Sequence, residues 1–319
     1  MSRRNQCVLV TGAAGFVGTN LGMNLRSRGF AVRRGIRAVQ HLGPNDVAIG
    51  PGIDWRAVVE NVDCVIHLAA RAHVMRERSS EALAEYRRTN VALTTGLAQA
   101  AAQAGVRRFV FMSSIKVNGE STTDRPFSEK DVPRPEDAYG ITKWEAEQAL
   151  WQIAGGRELE VVVLRPPLVY GPGVKGNFLS LMRLVASGWP LPFASIQNSR
   201  SFIYLGNLID AIIACVDAPA AARKTYLVSD GEDISTPNLI RALAASLDVP
   251  PRLISCPVTL LKVGADLLGK SAEMTRLAGS LQVDSSRIRD ELGWRPRFTL
   301  AEGLVETAKW FKSRDSVIQ

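Results

Sequence analysis

Short apolar runs alternate along the first half of the chain with longer stretches whose apolar residues recur every three or four positions. Cys7-Val8-Leu9-Val10, Val62-Asp63-Cys64-Val65-Ile66, Arg108-Phe109-Val110-Phe111-Met112 and Val161-Val162-Val163-Leu164 are the short runs. Their length and β-branched content predict strands buried on both faces. A further strand is expected from about Ala31 to Ile36. Helices are predicted from Thr19 to about Arg28, from Ser80 to Ala104 with Gly105 as the stop, and from Tyr139 through Leu150. Strands alternating with helices to about residue 165 predict an α/β architecture with a doubly wound parallel sheet.

The prolines and glycines of Arg165-Pro166-Pro167 and Tyr170-Gly171-Pro172-Gly173 end that rhythm. Beyond them the pattern is mixed. Helices are expected near 178–187, 208–216, 237–247, 259–268 and 300–312, and strands near 200–204 and 225–228. The expected organisation is a dinucleotide-binding domain over 1–165 and a smaller mixed α/β C-terminal substrate lobe over 166–319. Segments near 200–230 are expected to pack back onto the first domain.

The first strand runs into Thr11-Gly12-Ala13-Ala14-Gly15-Phe16-Val17-Gly18. Strand, glycine-rich turn and helix together form the context of a Rossmann-type phosphate-binding loop. Gly12 permits the tight turn, Gly15 lets backbone approach a pyrophosphate, and Gly18 lets helix and strand pack closely. The phosphates then meet free N–H groups and the positive end of the helix dipole. Gly12, Ala14, Gly15, Phe16, Val17 and Gly18 are therefore candidate cofactor contacts. Leu68, Ala69 and Ala70 follow a buried strand with little bulk, so a dinucleotide could lie against its end. An acidic residue commonly closes the second strand where NAD is preferred. Here the strand ends Arg33-Arg34-Gly35-Ile36-Arg37. Arginine suits a 2′-phosphate, so NADP(H) is favoured, with NAD(H) as the alternative and Arg37 as a candidate contact.

Tyr139 and Lys143 are four apart at the head of a helix, which places phenol and ammonium on one face. A free tyrosine has a pKa of about 10. A neighbouring cation is expected to lower it and to make Tyr139 usable in acid–base chemistry. Ser113-Ser114, where a strand ends, could reach the same pocket.

Composition is that of an ordinary globular protein, with 46% hydrophobic and 22% charged residues over 319 positions. The net charge of +8 comes from scattered basic residues, with no dense run or zinc-finger spacing to suggest nucleic acid. Four cysteines (Cys7, Cys64, Cys215, Cys256) without C-x-x-C spacing point to a reducing compartment. No signal peptide and no membrane span is expected, which favours the cytoplasm. His41, His67 and His73 lack an accompanying carboxylate pattern, and no metal site is expected.

Taken in order, these motifs resemble the extended short-chain dehydrogenase/reductase family, in its nucleotide-sugar epimerase, dehydratase and reductase branch. The resemblance rests on Thr11–Gly18, His67-Leu68-Ala69-Ala70, Ser113-Ser114 before Val117-Asn118-Gly119, Tyr139-Gly140-Ile141-Thr142-Lys143, Arg165-Pro166 with Val169-Tyr170-Gly171-Pro172-Gly173, and Glu291-Leu292-Gly293-Trp294-Arg295-Pro296. It covers nearly the whole chain. It implies that Tyr139 is the acid/base, that Lys143 binds the nicotinamide ribose and lowers the tyrosine pKa, and that Ser114 hydrogen-bonds the reacting oxygen. It further implies that Asn90 lines the cofactor site, that Asn177 and Arg200 bind a UDP-sugar, and that the protein is a homodimer.

Ile115 and Lys116 stand where sugar 4,6-dehydratases carry an Asp-Glu pair, which removes the acid and base of that reaction. Asn118 and Leu168 replace a tyrosine and an asparagine found in many 4-epimerases. Residues 165–178 look most like bacterial 4-ketoreductases that act on UDP-4-keto-6-deoxy-N-acetylhexosamines. The resemblance thus implies a UDP-sugar 4-ketoreductase. The alternatives are a UDP-hexose 4-epimerase with tightly bound NAD and, from another class, a non-catalytic dinucleotide sensor.

Overall fold

The computed structural model describes residues 6–37, 42–71 and 80–315. Its strands are β1 (Cys7–Thr11), β2 (Ala31–Arg37), β3 (Asp46–Ile49), β4 (Cys64–His67), β5 (Arg108–Met112), β6 (Glu160–Arg165), β7 (Leu168–Tyr170), β8 (Phe202–Tyr204) and β9 (Lys224–Leu227). Seven of them form one parallel sheet in the order β3-β2-β1-β4-β5-β6-β9. The apolar runs become central strands because both faces are covered. Val8 and Val10 turn to the side packed by Leu21 and Leu25 of the helix Phe16–Ser27 and by Leu208 and Ile212 of the helix Leu205–Asp217. Leu9 and Val65 turn to the opposite side, against Leu97 and Ala101 of the helix Leu93–Gln103 and Ala146 and Leu150 of the helix Ala138–Gly155. This is the doubly wound Rossmann-type architecture the alternation predicts.

Strand order reverses beside β1, between β2 and β4. Open parallel sheets bind ligands at such a switch point, outside the carboxyl ends of the strands. Thr11, His67, Met112 and Arg165 end β1, β4, β5 and β6 on that edge.

β9 pairs with β6, Val162 opposite Lys224, so residues 224–227 return to the large sheet. β8 does not. It pairs in parallel with β7 as a separate two-stranded sheet, with Leu168 opposite Phe202. Arg200 precedes β8 and makes isolated bridges to Ile234 and Leu281. A third apolar cluster gathers Tyr170, Phe178, Met182, Phe202, Leu243 and Leu304 around this pair.

Four departures from the sequence reading stand out. β3 and the helix Trp55–Val59 are short elements that the apolar pattern does not predict. β7 follows immediately on two prolines, and its strand character comes from pairing with β8. The helices Ser271–Ala278 and Ser286–Leu292 were not anticipated. The single helix expected from Ser80 to Ala104 contains a π-helical segment, Arg87–Ala92, between the α-helices Ser80–Tyr86 and Leu93–Gln103. Wider turns of this kind are common at functional sites, and this one carries Asn90.

Candidate active site

The glycine turn has the shape a dinucleotide needs. Gly12 has φ +69, and a Cβ there would lie 2.9 Å from the Ala69 nitrogen, so the β1 turn and the β4 exit touch backbone to backbone. A Cβ on Gly18 would lie 2.2 Å from the Gly12 carbonyl oxygen. The helix Phe16–Ser27 begins at Gly15 with no side-chain cap, leaving its first N–H groups available to an anion. Its first turn holds no acidic residue. Phosphate oxygens fit this cradle.

Thr11, His67, Thr94 and Asn90 form a buried chain of hydrogen bonds from the glycine turn to the π-helical segment. The Thr94 hydroxyl donates to the Asn90 carbonyl at 2.7 Å, so His67 Nε2, 2.9 Å away, is the donor to Thr94. His67 Nδ1 then accepts from the Thr11 hydroxyl at 2.6 Å. Burial, aided by the charge of Lys143, holds the His67 pKa down at about 3, so the ring is neutral. Asn90 has its side chain fully used: Oδ1 accepts from Arg71 N at 2.7 Å, and Nδ2 donates to the Arg71 carbonyl and to Thr142 Oγ1, each at 3.2 Å. Asn90 therefore sits in the wall of the candidate site and braces the helix Ala138–Gly155 between Tyr139 and Lys143.

Asp137 caps that helix, its Oδ1 accepting from Gly140 N at 2.7 Å. Gly140 is required where it stands, since a Cβ would come within 2.8 Å of the Lys116 carbonyl. Tyr139 is half-buried and Lys143 is buried. Lys143 Nζ donates to the Met112 carbonyl at 2.7 Å and lies 5.9 Å from the centre of the Tyr139 ring. Ser114 is half-buried at the end of β5 and caps the turn Ile115–Val117, its Oγ accepting from Lys116 N at 3.3 Å. The structure thus draws Ser114, Tyr139 and Lys143 to the edge where β5 ends.

One electrostatic expectation is corrected. The protein's own groups do not lower the Tyr139 pKa. Burial raises it, and the negative charge of Asp137 adds to the rise. The reason is that Lys143 is itself starved of water: burial pulls its ammonium down to about 7, against the charge of Glu147. A lysine whose own burial favours its neutral form adds little to the field at the phenol.

Behind these residues lies a buried group that the motifs had not singled out. Glu147, one turn beyond Lys143, accepts from Arg165 Nε at 3.0 Å, from Arg165 Nη2 at 2.6 Å and from the Ser113 hydroxyl. Glu147 occupies the i+8 position from Tyr139, so a Tyr-x-x-x-Lys-x-x-x-Glu spacing was available as a signal.

The remaining candidates are spread more widely. Arg200 is half-buried, with Nη1 donating to the carbonyls of Arg276 and Gly279, both at 2.8 Å. Asn177 is exposed in the first turn of the helix Gly176–Ala186. Arg37 is exposed where β2 ends. The other two arginines of that strand have structural partners. Arg33 Nη1 donates to the carbonyls of Val58 at 2.9 Å and Glu60 at 2.7 Å, and Arg34 pairs with Asp46 at 3.3 Å. Of these three arginines, Arg37 is the one left to support a 2′-phosphate. Among the described residues no cluster of three or more His, Cys, Asp or Glu could hold a metal ion, and His41 and His73 lie outside them. All four cysteines are free thiols, and no described helix is long and apolar enough to cross a membrane.

Residues 8–229 match the model of the NAD dependent epimerase/dehydratase family. The chain belongs to this family. It is therefore an enzyme of the NAD-dependent nucleotide-sugar epimerase and dehydratase class, and the resemblance read from its motifs holds. A UDP-glucose 4-epimerase of Vibrio cholerae is 46% identical over 95% of this chain and 95% of its own length. An N-acetyl-alpha-D-glucosaminyl-diphospho-ditrans,octacis-undecaprenol 4-epimerase of Escherichia coli O157:H7 is 26% identical over 96% of this chain and 95% of its own. Among solved structures, MoeE5 in complex with UDP-glucose and NAD matches with a TM-score of 0.78 and 29% identity, covering 97% of this chain and 99% of the other. NAD is the cofactor in that neighbour, and the NADP preference inferred from the arginines gains no support from it.

Proposed function

We infer that the protein is a UDP-hexose 4-epimerase that works with NAD. The observation that carries this reading is the 46% identity to the Vibrio cholerae UDP-glucose 4-epimerase over almost the full length of both chains. The commitment of Arg33 and Arg34 to structural partners supports NAD over NADP. The 4-ketoreductase reading rests on the resemblance of residues 165–178, on Asn118 and Leu168 in place of the tyrosine and asparagine of many 4-epimerases, and on the arginines that end β2.

The residues that would hold the dinucleotide are Gly12, Ala14, Gly15, Phe16, Val17 and Gly18 at the phosphates, Leu68–Ala70 along the strand exit and Lys143 at the ribose. When bound, the nicotinamide supplies a reversible hydride acceptor and a positive charge close to the phenol. Tyr139 takes the proton of the sugar C4 hydroxyl, and Ser114 hydrogen-bonds the same oxygen as it becomes a carbonyl. The keto sugar turns in the pocket so that the other face of C4 would receive the hydride back, and Tyr139 returns the proton to the C4 oxygen. Lys143, hydrogen-bonded to Met112, fixes the lateral position of the reacting pair. Asn177 and Arg200, in the 166–319 lobe, bind the UDP portion.

The test is an NMR assay of UDP-glucose, UDP-galactose and their N-acetyl forms with catalytic NAD. Inversion at C4 with no net NADH is expected. Stoichiometric NAD(P)H oxidation with a UDP-4-keto-6-deoxy-N-acetylhexosamine, and no inversion of any UDP-hexose, would overturn the reading in favour of the reductase.

A further inference from the structure

Glu147 is fully buried, one helical turn beyond Lys143. Its carboxylate receives three donors, two from Arg165 and one from Ser113. Arg165 closes β6, and its Nη1 also reaches Asn118 Oδ1 at 2.9 Å, just past the turn that Ser114 caps. Ser113 stands between Met112, whose carbonyl receives Lys143, and Ser114. The end of β5, the turn after it, the catalytic helix and the end of β6 all converge on one carboxylate.

Such a pair is an inefficient way to stabilise a fold. Desolvating both charges offsets most of their attraction, and apolar residues of similar volume often hold a core as well. What a bidentate arginine–carboxylate pair adds is direction, because it fixes angle as well as distance. The groups facing the Lys143 ammonium are few: Tyr139 and Glu147 from its own helix, His67 from β4, the Phe111 ring and Met112 carbonyl from β5, and Arg165 from β6 behind Glu147. Glu147 is the one anion in that set, and it raises the proton affinity of Lys143 against the burial that lowers it.

We propose that Glu147, clamped by Arg165 and Ser113, is a positioning residue that holds Lys143 and Ser114 in register with Tyr139 and favours the protonated form of Lys143 for the epimerisation inferred above. Placement follows from the shared carboxylate. Charge follows from Glu147 standing one helical turn from Lys143 as the one anion among the groups named above.

The test uses the double variant Glu147→Leu/Arg165→Met, which leaves no buried charge unpaired. The Lys143 ammonium is titrated by NMR of 13C-labelled lysine in the full chain, with the resonance assigned from Lys143→Met. Kinetics are measured with NAD and the UDP-hexose that the wild type inverts. The titration midpoint is expected to fall by about half a pH unit or more. Turnover is expected to fall about tenfold or more, with KM within about threefold of wild type. An unmoved midpoint, or unchanged kcat, overturns the proposal. If the wild type inverts no UDP-hexose, the epimerase reading fails, while the midpoint still decides whether Glu147 governs Lys143. Should the double variant not fold, Ser113→Ala decides, since it cuts only the tie between the carboxylate and β5. A severalfold lower kcat at unchanged KM supports the proposal, and an unchanged kcat overturns it.

Discussion

Lys143 donates to the Met112 carbonyl at 2.7 Å, inside a pocket that buries the ammonium almost completely. One hydrogen bond and one nearby carboxylate replace a full shell of water, and the folded pKa falls to about 7. The unfolded chain keeps the ordinary value of about 10.4. Between those two values the unfolded state binds a proton that the folded state has released, so stability rises with pH across that window. Wild type should gain on Lys143→Met by about 1.4 kcal/mol per pH unit from about pH 7 to about pH 10, with no further change below it. Urea unfolding of both proteins across this range checks the slope. A flat or falling difference would contradict the fall of the Lys143 pKa on burial.

Tyr139→Phe should keep its affinity for NAD and lose turnover by about 10²- to 10⁴-fold, the usual contribution of a positioned acid/base. Calorimetric titration of NAD together with the NMR inversion assay reads both quantities. Full retention of turnover would remove Tyr139 from the chemistry.

Gly18→Ala should fail at the cofactor and at the fold. The added methyl would sit 2.2 Å from the Gly12 carbonyl and 2.8 Å from the Ala13 Cα, all of it backbone that cannot swing aside. The helix must retreat from the turn, and NAD affinity should drop by about tenfold or more as its N–H groups leave the phosphates. Gly22→Ala, on the same helix with nothing within 4 Å, should bind NAD as wild type does.

Arg33→Ala should leave the ratio of NAD to NADP affinities unchanged and lower the melting temperature. Its guanidinium ties β2 to the Val58 and Glu60 carbonyls at the end of the helix Trp55–Val59, and losing these partly solvated bonds costs roughly 0.5–1.5 kcal/mol. A selective loss of NADP affinity would instead return Arg33 to the role its place in the sequence suggested.

The central sheet was legible because strands covered on both sides must be apolar at every position, as Val161–Leu164 are. The glycine turn and the Tyr139–Lys143 spacing were legible because each is local. The rest depended on distances that spacing does not encode. Glu147 and Arg165 are 18 residues apart and meet only because β6 lies beneath the helix Ala138–Gly155. The direction of the Tyr139 shift was misread because spacing reports a neighbour's charge and is silent on how far that neighbour is desolvated. The Arg33–Arg34–Arg37 cluster suggested a phosphate until the carbonyls of Val58 and Glu60 and the carboxylate of Asp46 were seen to occupy two of the three. The π-helical turn at Asn90 left no mark in the apolar periodicity at all.

Because β6 takes its outer partner from residues 224–227, the first half of the chain is not a self-sufficient product. A gene cut after codon 165 would yield a fragment whose outermost strand offers Val161-Val162-Val163-Leu164 with a bare row of amide and carbonyl groups. Strand margins of that composition recruit other copies, so such a fragment should precipitate on expression. Extending it through Val228 would restore the missing neighbour.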